Sequence, residues 1–408
     1  MNGRPIAGAS VDARKPGDRA APARGGRRRG VLALLLGVLL LAATACSGDD
    51  DKGGDETSRA VVTIAPKNGA DGVNTTGALK ISAAEGRLTE VRVRDAGGTE
   101  VKGRVTGEGA AWTPSGHLKS ATEYSVQAVA EDADGRRATA RSTFTTLTPK
   151  KTFETTFTPE DGSTVGVGMP FSLRFDSAIS DPAKVERAIT VQTRPAVEVA
   201  GHWFGDDRID FRPERYWKPG TKVTVGLDFD GLEGRPGVYG TQTERVSFTI
   251  GRSQISTVDA GTKEMVVERD GKVLRTLPVT TGAPGYETWN GQMVVSERYK
   301  VTRMNGATVG YAGEYDIPDV PHAMRLTTSG TFIHGNYWSG AFGYYNASHG
   351  CIGLRDVRGG YDSTTAAAWF YDNSMIGDVV IVRNSDDATV APDNGLNGWN
   401  MPWEKWKA

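Results

Sequence analysis

The residues of this chain best equipped for covalent chemistry lie between positions 334 and 351. Cys351 follows Ser348-His349-Gly350, and His334 stands upstream beside Gly335. A thiol near an imidazole can transfer acyl groups, because the imidazole removes the thiol proton and the sulfur then attacks a carbonyl carbon. We therefore predict Cys351 as a nucleophile and His334 as its base, and we expect an imidazolium beside the sulfur to lower the thiol pKa.

Residue types alone leave two other interpretations of Cys351 open. One is a zinc site in which His334, His349 and Cys351 supply three ligands, although the paired spacings common in such sites are missing and no fourth ligand is identified. The other is a buried structural cysteine. Thiol catalysis is the preferred interpretation, and it needs no metal and no cofactor.

The segments around these residues predict how they would meet. Residues 331–333 predict a strand that ends at His334, and a Gly- and aromatic-rich loop, 336–347, leads to Cys351. If this loop folds back, the thiol and the imidazole come within hydrogen-bond distance. The backbone N–H groups of Gly350 and Cys351 would then receive the developing oxyanion. Four of the aromatic residues in this loop are expected to wall a cleft: Trp338, Phe342, Tyr344 and Tyr345.

The other histidines and two aspartates show no pattern of their own. No other candidate catalytic or metal-ligating residue lies near His117 or His202 in the sequence, so we expect surface or packing roles for both. For His322 we expect a structural role. For Asp259 and Asp356 we expect a turn or surface role.

Short strands with frequent turns predict a mainly β protein. Residues 60–149 and 150–251 have the pattern of two successive immunoglobulin-like β-sandwich modules without cysteines. Residues 252–385 predict a further β-rich domain, with a hairpin turn at Asp270-Gly271 and a short helix at 364–371. Residues 386–408 form a Trp-rich tail that we expect to pack back on the domains.

The N-terminal region, residues 1–46, has the pattern of an export signal. Several arginines precede an apolar run from 31 to 45, which is short for a membrane-spanning helix. The residues before Cys46 resemble a bacterial lipoprotein cleavage site, so Cys46 is expected to carry a lipid and to attach the protein to the membrane. The acidic segment 47–59 predicts a solvated tether.

These features predict an extracytoplasmic, lipid-anchored protein that faces the cell wall. Cys351 would then be a free thiol in an exported protein, which favours a chemical role. The net charge is −1 over 408 residues, and basic residues outside the signal are interspersed with acidic ones. Nothing in this distribution indicates a nucleic-acid partner.

The sequence His334-Gly335, followed by Ser348-His349-Gly350-Cys351-Ile352, resembles the signature of the YkuD-type L,D-transpeptidase catalytic domain. The segment Pro278-Val279-Thr280-Thr281-Gly282 also resembles that domain. The order of two immunoglobulin-like modules, catalytic domain and Trp-rich tail resembles the lipoprotein L,D-transpeptidases of actinobacteria. The resemblance extends over the whole mature chain.

The resemblance implies a reaction on peptidoglycan stem peptides. Cys351 would attack the carbonyl of the third residue of a tetrapeptide stem, release the terminal D-Ala and form a thioester. An amine of a neighbouring stem would resolve it into a 3-3 cross-link. His334 would act as base and then as proton donor, oriented by the Gly335 carbonyl. Carbapenem-type β-lactams are implied as covalent inhibitors.

The same resemblance implies which residues border the substrate. These are Tyr315, Ser329, Gly330, Ser348 and His349. Position 353 departs from the family pattern, because Gly353 stands where Arg or Asn is common, so this substrate contact is either absent or supplied by Arg355.

Three functions from different classes fit this sequence. The first is the anchored transpeptidase. The second uses the same acyl-enzyme for L,D-carboxypeptidase activity or for ligation of a protein to peptidoglycan. The third is a wall-binding lipoprotein without catalysis.

Overall fold

A computed structural model describes residues 57–309 and 312–408. The predicted signal, Cys46 and nearly all of the predicted tether lie outside the described residues. Within the described residues, no helix has the length and apolar character needed to cross a membrane. The chain is mainly β, as the strand and turn pattern predicts.

The first part of the described chain contains two four-stranded sheets, ordered β1-β3-β6-β5 and β2-β8-β7-β4. Their inner faces enclose a core that includes Trp112, Tyr124 and Phe144. Exposed and buried residues alternate over the first four residues of β7, which turns one face of this strand to the core. The strands are β1 (Val61–Ala65), β2 (Ala70–Val73), β3 (Lys80–Ala84), β4 (Arg87–Asp95), β5 (Gly103–Thr106), β6 (Ala111–Pro114), β7 (Glu123–Glu131) and β8 (Arg137–Thr146).

The second part also consists of packed sheets, ordered β10-β12-β15-β14, β11-β19-β16-β13 and β17-β18-β9. A short helix, α1 (Pro182–Glu186), is capped by Asp181, whose side chain accepts a hydrogen bond from the Lys184 N–H group. The strands are β9 (Thr152–Phe153), β10 (Thr155–Thr158), β11 (Thr164–Val165), β12 (Phe171–Phe175), β13 (Ile189–Arg194), β14 (Ala200–Phe204), β15 (Arg208–Arg212), β16 (Lys222–Asp228), β17 (Glu233–Arg235), β18 (Val238–Gly240) and β19 (Thr243–Ile250).

The third part is a nine-stranded sheet ordered β23-β28-β20-β21-β22-β27-β26-β25-β24. The predicted turn at Asp270-Gly271 is confirmed, because both residues have positive φ and join β21 to β22. The predicted short helix is present as α2 (Ala366–Asp372), one or two residues later than expected. The strands are β20 (Gln254–Asp259), β21 (Glu264–Arg269), β22 (Lys272–Thr280), β23 (Gly291–Val294), β24 (Glu297–Asn305), β25 (Asp316–Arg325), β26 (Phe332–Asn336), β27 (Ile352–Arg355) and β28 (Val379–Arg383).

The Trp-rich tail, which ends in α3 (Trp403–Trp406), packs on the second group of sheets. Trp399 Nε1 donates to the Gly168 carbonyl at 2.7 Å, and Trp406 Nε1 donates to the Ala200 carbonyl at 2.9 Å. The Arg212 guanidinium lies over the Trp406 ring, 4.2 Å from its centroid. The tail therefore joins the last part of the chain to the preceding one.

Candidate active site

The parallel pairing of β26 with β27 brings the two predicted catalytic residues to one face of the sheet. His334 is the partner of Gly353, and Ile333 is the partner of Ile352. Paired residues point to the same side, and Cys351 precedes Gly353 by two residues, so the thiol and the imidazole share a face on neighbouring strands. Both side chains line one cavity.

His334 is buried and held in one orientation by its own strand. Its Nδ1 lies 2.8 Å from the Gly335 carbonyl oxygen, the contact that the family resemblance implies. Because a carbonyl only accepts, Nδ1 carries the proton and Nε2 keeps its lone pair. Desolvation lowers the pKa of His334 below its usual value, which favours the neutral imidazole. The ring stacks on Trp338, with centroids 5.8 Å apart.

The Cys351 thiol is protonated in this arrangement. Its Sγ lies 3.7 Å from the Gly330 carbonyl oxygen, to which it donates. Desolvation raises the pKa of Cys351 to about 11, and a backbone hydrogen bond from Phe332 and the charge of Arg325 oppose this only in part. The expectation of a lowered thiol pKa was therefore wrong. The resting pair is a neutral thiol and a neutral imidazole, because burial disfavours both charged forms.

The cavity in front of the pair has a volume of about 640 Å³. Of the residues expected to border the substrate, it is lined by Tyr315, Gly330, Ser348 and His349. Ser329 lies outside the lining, and its hydroxyl accepts a hydrogen bond from Asn394 Nδ2 at 2.9 Å.

Position 353 and the alternative residue Arg355 are placed alike with respect to the cavity. Gly353 and Arg355 both lie outside the lining, and Arg355 is exposed. A Cβ on Gly353 would lie 2.8 Å from Thr280 Cγ2, so the strands leave little space for a side chain there.

The Ser348-His349-Gly350 segment shapes the approach to the nucleophile. Ser348 Oγ donates to the Cys351 carbonyl oxygen at 2.6 Å, and Gly350 turns the chain with φ of +96°. His349 lies at the cavity wall, where its Nε2 is 3.1 Å from Glu314 Oε2 and its ring lies against Tyr315. His349 thus belongs to the cavity wall and pairs with a carboxylate.

The zinc interpretation requires that His334, His349 and Cys351 converge on one point. In the described part of the chain, no group of three or more His, Cys, Asp or Glu side chains is arranged to hold a metal ion. Cys351 is a free cysteine. The donor set of the zinc hypothesis is therefore not assembled.

A buried pair behind the site was missed by sequence reasoning. Asp356 Oδ2 lies 2.7 Å from His322 Nδ1, and both side chains are almost fully buried. The surface or turn role expected for Asp356 was wrong, whereas Asp259 does accept turn hydrogen bonds from Gly261 and Thr262. No local sequence pattern links positions 322 and 356, because the two residues are distant in the sequence and meet only in the folded protein.

The fold and the site define a class of enzyme. A thiol, a neutral imidazole with an available Nε2 and a peptide-sized cavity on a β scaffold are the parts of a cysteine acyltransferase.

Comparisons with known proteins identify the family within this class. Residues 253–382 match the family described as the L,D-transpeptidase catalytic domain, and residues 70–233 match the bacterial Ig domain. L,D-transpeptidase 2 of Mycobacterium tuberculosis (strain CDC 1551 / Oshkosh) is 35% identical over 353 residues, which are 85% of this chain and 84% of that relative. The chain belongs to the L,D-transpeptidase family.

One further relative agrees with this assignment, and a solved structure is similar to part of the chain. L,D-transpeptidase 5 of Mycobacterium tuberculosis (strain ATCC 25618 / H37Rv) is 31% identical over 353 residues, 85% of this chain and 76% of that relative. A solved structure of the L,D-transpeptidase LdtMt1 in complex with imipenem is 28% identical with a TM-score of 0.48, and the match covers 58% of this chain and 100% of that one.

Proposed function

We propose that this protein forms 3-3 cross-links in peptidoglycan through a thioester on Cys351. The observation that carries the proposal is the placement of Cys351 and His334 on one face of adjacent parallel strands, inside a cavity of about 640 Å³. Membership of the L,D-transpeptidase family supports peptidoglycan stem peptides as the substrate.

In the acylation step, the thiol turns from the Gly330 carbonyl toward His334 Nε2, which takes its proton. The sulfur attacks the carbonyl carbon of the third stem residue, so an S–C bond forms as the C–N bond to D-Ala breaks. His334 then gives the proton to the departing amine. Because both groups are neutral at rest, proton transfer accompanies the attack.

In the second step, an amine of a neighbouring stem attacks the thioester carbonyl. His334 Nε2 receives the amine proton, the S–C bond breaks, and the thiol is restored with that proton. The Gly335 carbonyl keeps the Nδ1 proton in place throughout, so His334 exchanges protons at Nε2 alone. The N–H groups of Gly350 and Cys351 receive the oxyanion in both steps.

The product distinguishes this function from its alternatives. Purified protein is incubated with tetrapeptide muropeptides, and tandem mass spectrometry locates the new bond in any dimer. A dimer joined between two third residues supports the proposal. Release of D-Ala without a dimer indicates carboxypeptidase activity, and no reaction at all contradicts an enzymatic role on this substrate.

We also propose that carbapenem-type β-lactams acylate Cys351, because such a ring presents a strained carbonyl to the same thiol. One solved relative is described in complex with imipenem.

We further propose that the protein is exported and carries a lipid on Cys46. The mass of the mature N-terminal peptide, isolated from cells, tests this attachment directly.

A further inference from the structure

Asn336 carries a buried amide group that faces the active-site cavity. The residue is 5% exposed and lines the cavity together with His334 and Cys351. Its Oδ1 accepts a hydrogen bond from the Trp338 N–H group at 3.1 Å. Within the described residues, the Nδ2 group makes no hydrogen bond to the protein. The Nδ2 group is instead open toward the cavity, so it is available to donate a hydrogen bond to a ligand there.

The position of this amide relative to the nucleophile follows from the strand register. Asn336 lies two residues after His334 in β26, so both occupy the same face. A Cβ placed on Gly353 would lie 3.4 Å from Asn336 Nδ2. Cys351 precedes Gly353 by two residues, which is roughly 6.6 Å along a strand. The amide is therefore about two residues of an extended peptide away from the reacting sulfur.

We propose that Asn336 is a substrate-binding residue whose Nδ2 donates a hydrogen bond to a carbonyl or carboxylate oxygen of the acyl donor, beside the reacting carbonyl. The inference rests on the proposed function, since the donor is the stem peptide. Gly353 leaves this side of the amide open, because a Cβ there would already lie in van der Waals contact with Nδ2, at 3.4 Å. Asn336 thus supplies a polar contact that residue 353 lacks, whereas the exposed Arg355 lies outside the cavity.

The test compares two reactions of Cys351 in the purified full chain. Acylation by a tetrapeptide donor, and separately by imipenem, reports on recognition of a carbonyl substrate. Alkylation by iodoacetamide reports on the reactivity of the thiol itself. Peptide mapping separates modification of Cys351 from that of Cys46.

Two variants keep the structural contact of Asn336 and remove its amide donor. Asn336→Ser retains a short side-chain acceptor for the Trp338 N–H group, and Asn336→Asp retains the shape. Asn290→Ser is the matched control, because Asn290 Nδ2 donates to the Ser385 and Asp387 carbonyls away from the cavity.

The proposal predicts that both Asn336 variants lose about 10- to 100-fold in acylation kcat/KM, the effect of one lost hydrogen bond to a substrate. Alkylation of Asn336→Ser stays within about twofold of the wild type, and Asn290→Ser changes neither rate. Unchanged acylation in Asn336→Ser, or an equal fall in alkylation, overturns the inference. Failure of the proposed function gives a different result, because the wild type is then not acylated by the tetrapeptide donor. The rates of acylation by imipenem still test the role of Asn336 in that case.

Discussion

The carboxylate of Asp356 occupies the space that a side chain on Gly335 would need. A Cβ at Gly335 would lie 2.1 Å from Asp356 Oδ2 and 2.8 Å from its Cβ. The same carboxylate pairs with His322, and the Gly335 carbonyl orients His334. The buried His322–Asp356 pair therefore depends on a glycine at the position whose carbonyl orients the proposed base.

Gly335→Ala should destabilise the protein and slow acylation. The added methyl group displaces a buried, paired carboxylate, and overpacking together with a disturbed pair costs roughly 2–4 kcal/mol. Urea unfolding measures the loss. Gly340→Ala is the control, because a Cβ at Gly340 meets no atom within 4 Å. Equal stability of the two variants would contradict the packing described for Gly335.

The rate at which Cys351 is alkylated should increase only at alkaline pH. Since desolvation raises the thiol pKa to about 11 from 9.0, the thiolate forms only in alkaline solution. The rate of alkylation of the wild type by iodoacetamide should therefore have its midpoint near pH 11. A midpoint below that of an ordinary thiol would instead indicate a stabilised thiolate.

The raised pKa of Cys351 also makes the free energy of unfolding depend on pH. The folded protein binds the thiol proton more tightly than the unfolded chain does, so this contribution is present below the unfolded pKa of 9.0 and is lost as the pH rises toward about 11. Chemical unfolding at pH 8 and pH 11, in wild type and Cys351→Ala, isolates the effect. The wild type should lose more stability than the variant.

His334 should set the acid limb of acylation. Burial lowers the pKa of His334 below the usual 6.5. The imidazole therefore stays an available base until the pH falls below this lowered pKa. His334→Gln should slow acylation by about 10²- to 10⁴-fold and abolish this limb. Rates measured from pH 4 to pH 9 provide the check, and a limb that survives in His334→Gln would assign it to another group.

Removing the Trp406 side chain should weaken the attachment of the tail to the second group of sheets. Trp406 is 1% exposed and donates to the Ala200 carbonyl, so Trp406→Ala should cost about 3–5 kcal/mol. Trp403→Ala is the milder control, because that side chain remains partly exposed. Hydrogen exchange should increase in β14 of Trp406→Ala alone, and unchanged exchange there would contradict the packing role of Trp406.

The sequence predicts the parts of this protein that depend on local patterns. Short sequence segments are enough to predict the alternating strands, the Asp270-Gly271 turn and the signature around Cys351. The His322–Asp356 pair is not, because its members are 34 residues apart and no periodicity connects them. The helix α1 is five residues long and too short to show a helical pattern.

The thiol pKa was mispredicted for a related reason. Residue types show that Cys351 and His334 form a potential pair, but only the packed structure shows how strongly water is excluded from both. Desolvation then outweighs the attraction between the charged forms. Likewise, the open amide of Asn336 becomes visible only once the register of β26 and β27 is known.

The most direct test of the account is the intact mass of the full chain after incubation with a tetrapeptide donor, with Cys351→Ala treated in parallel. The account predicts a mass increase equal to the mass of the donor minus that of the released D-Ala, located on Cys351 by peptide mapping and missing from the variant. A wild-type protein that stays unmodified, or an adduct that persists in Cys351→Ala, would contradict the thioester mechanism.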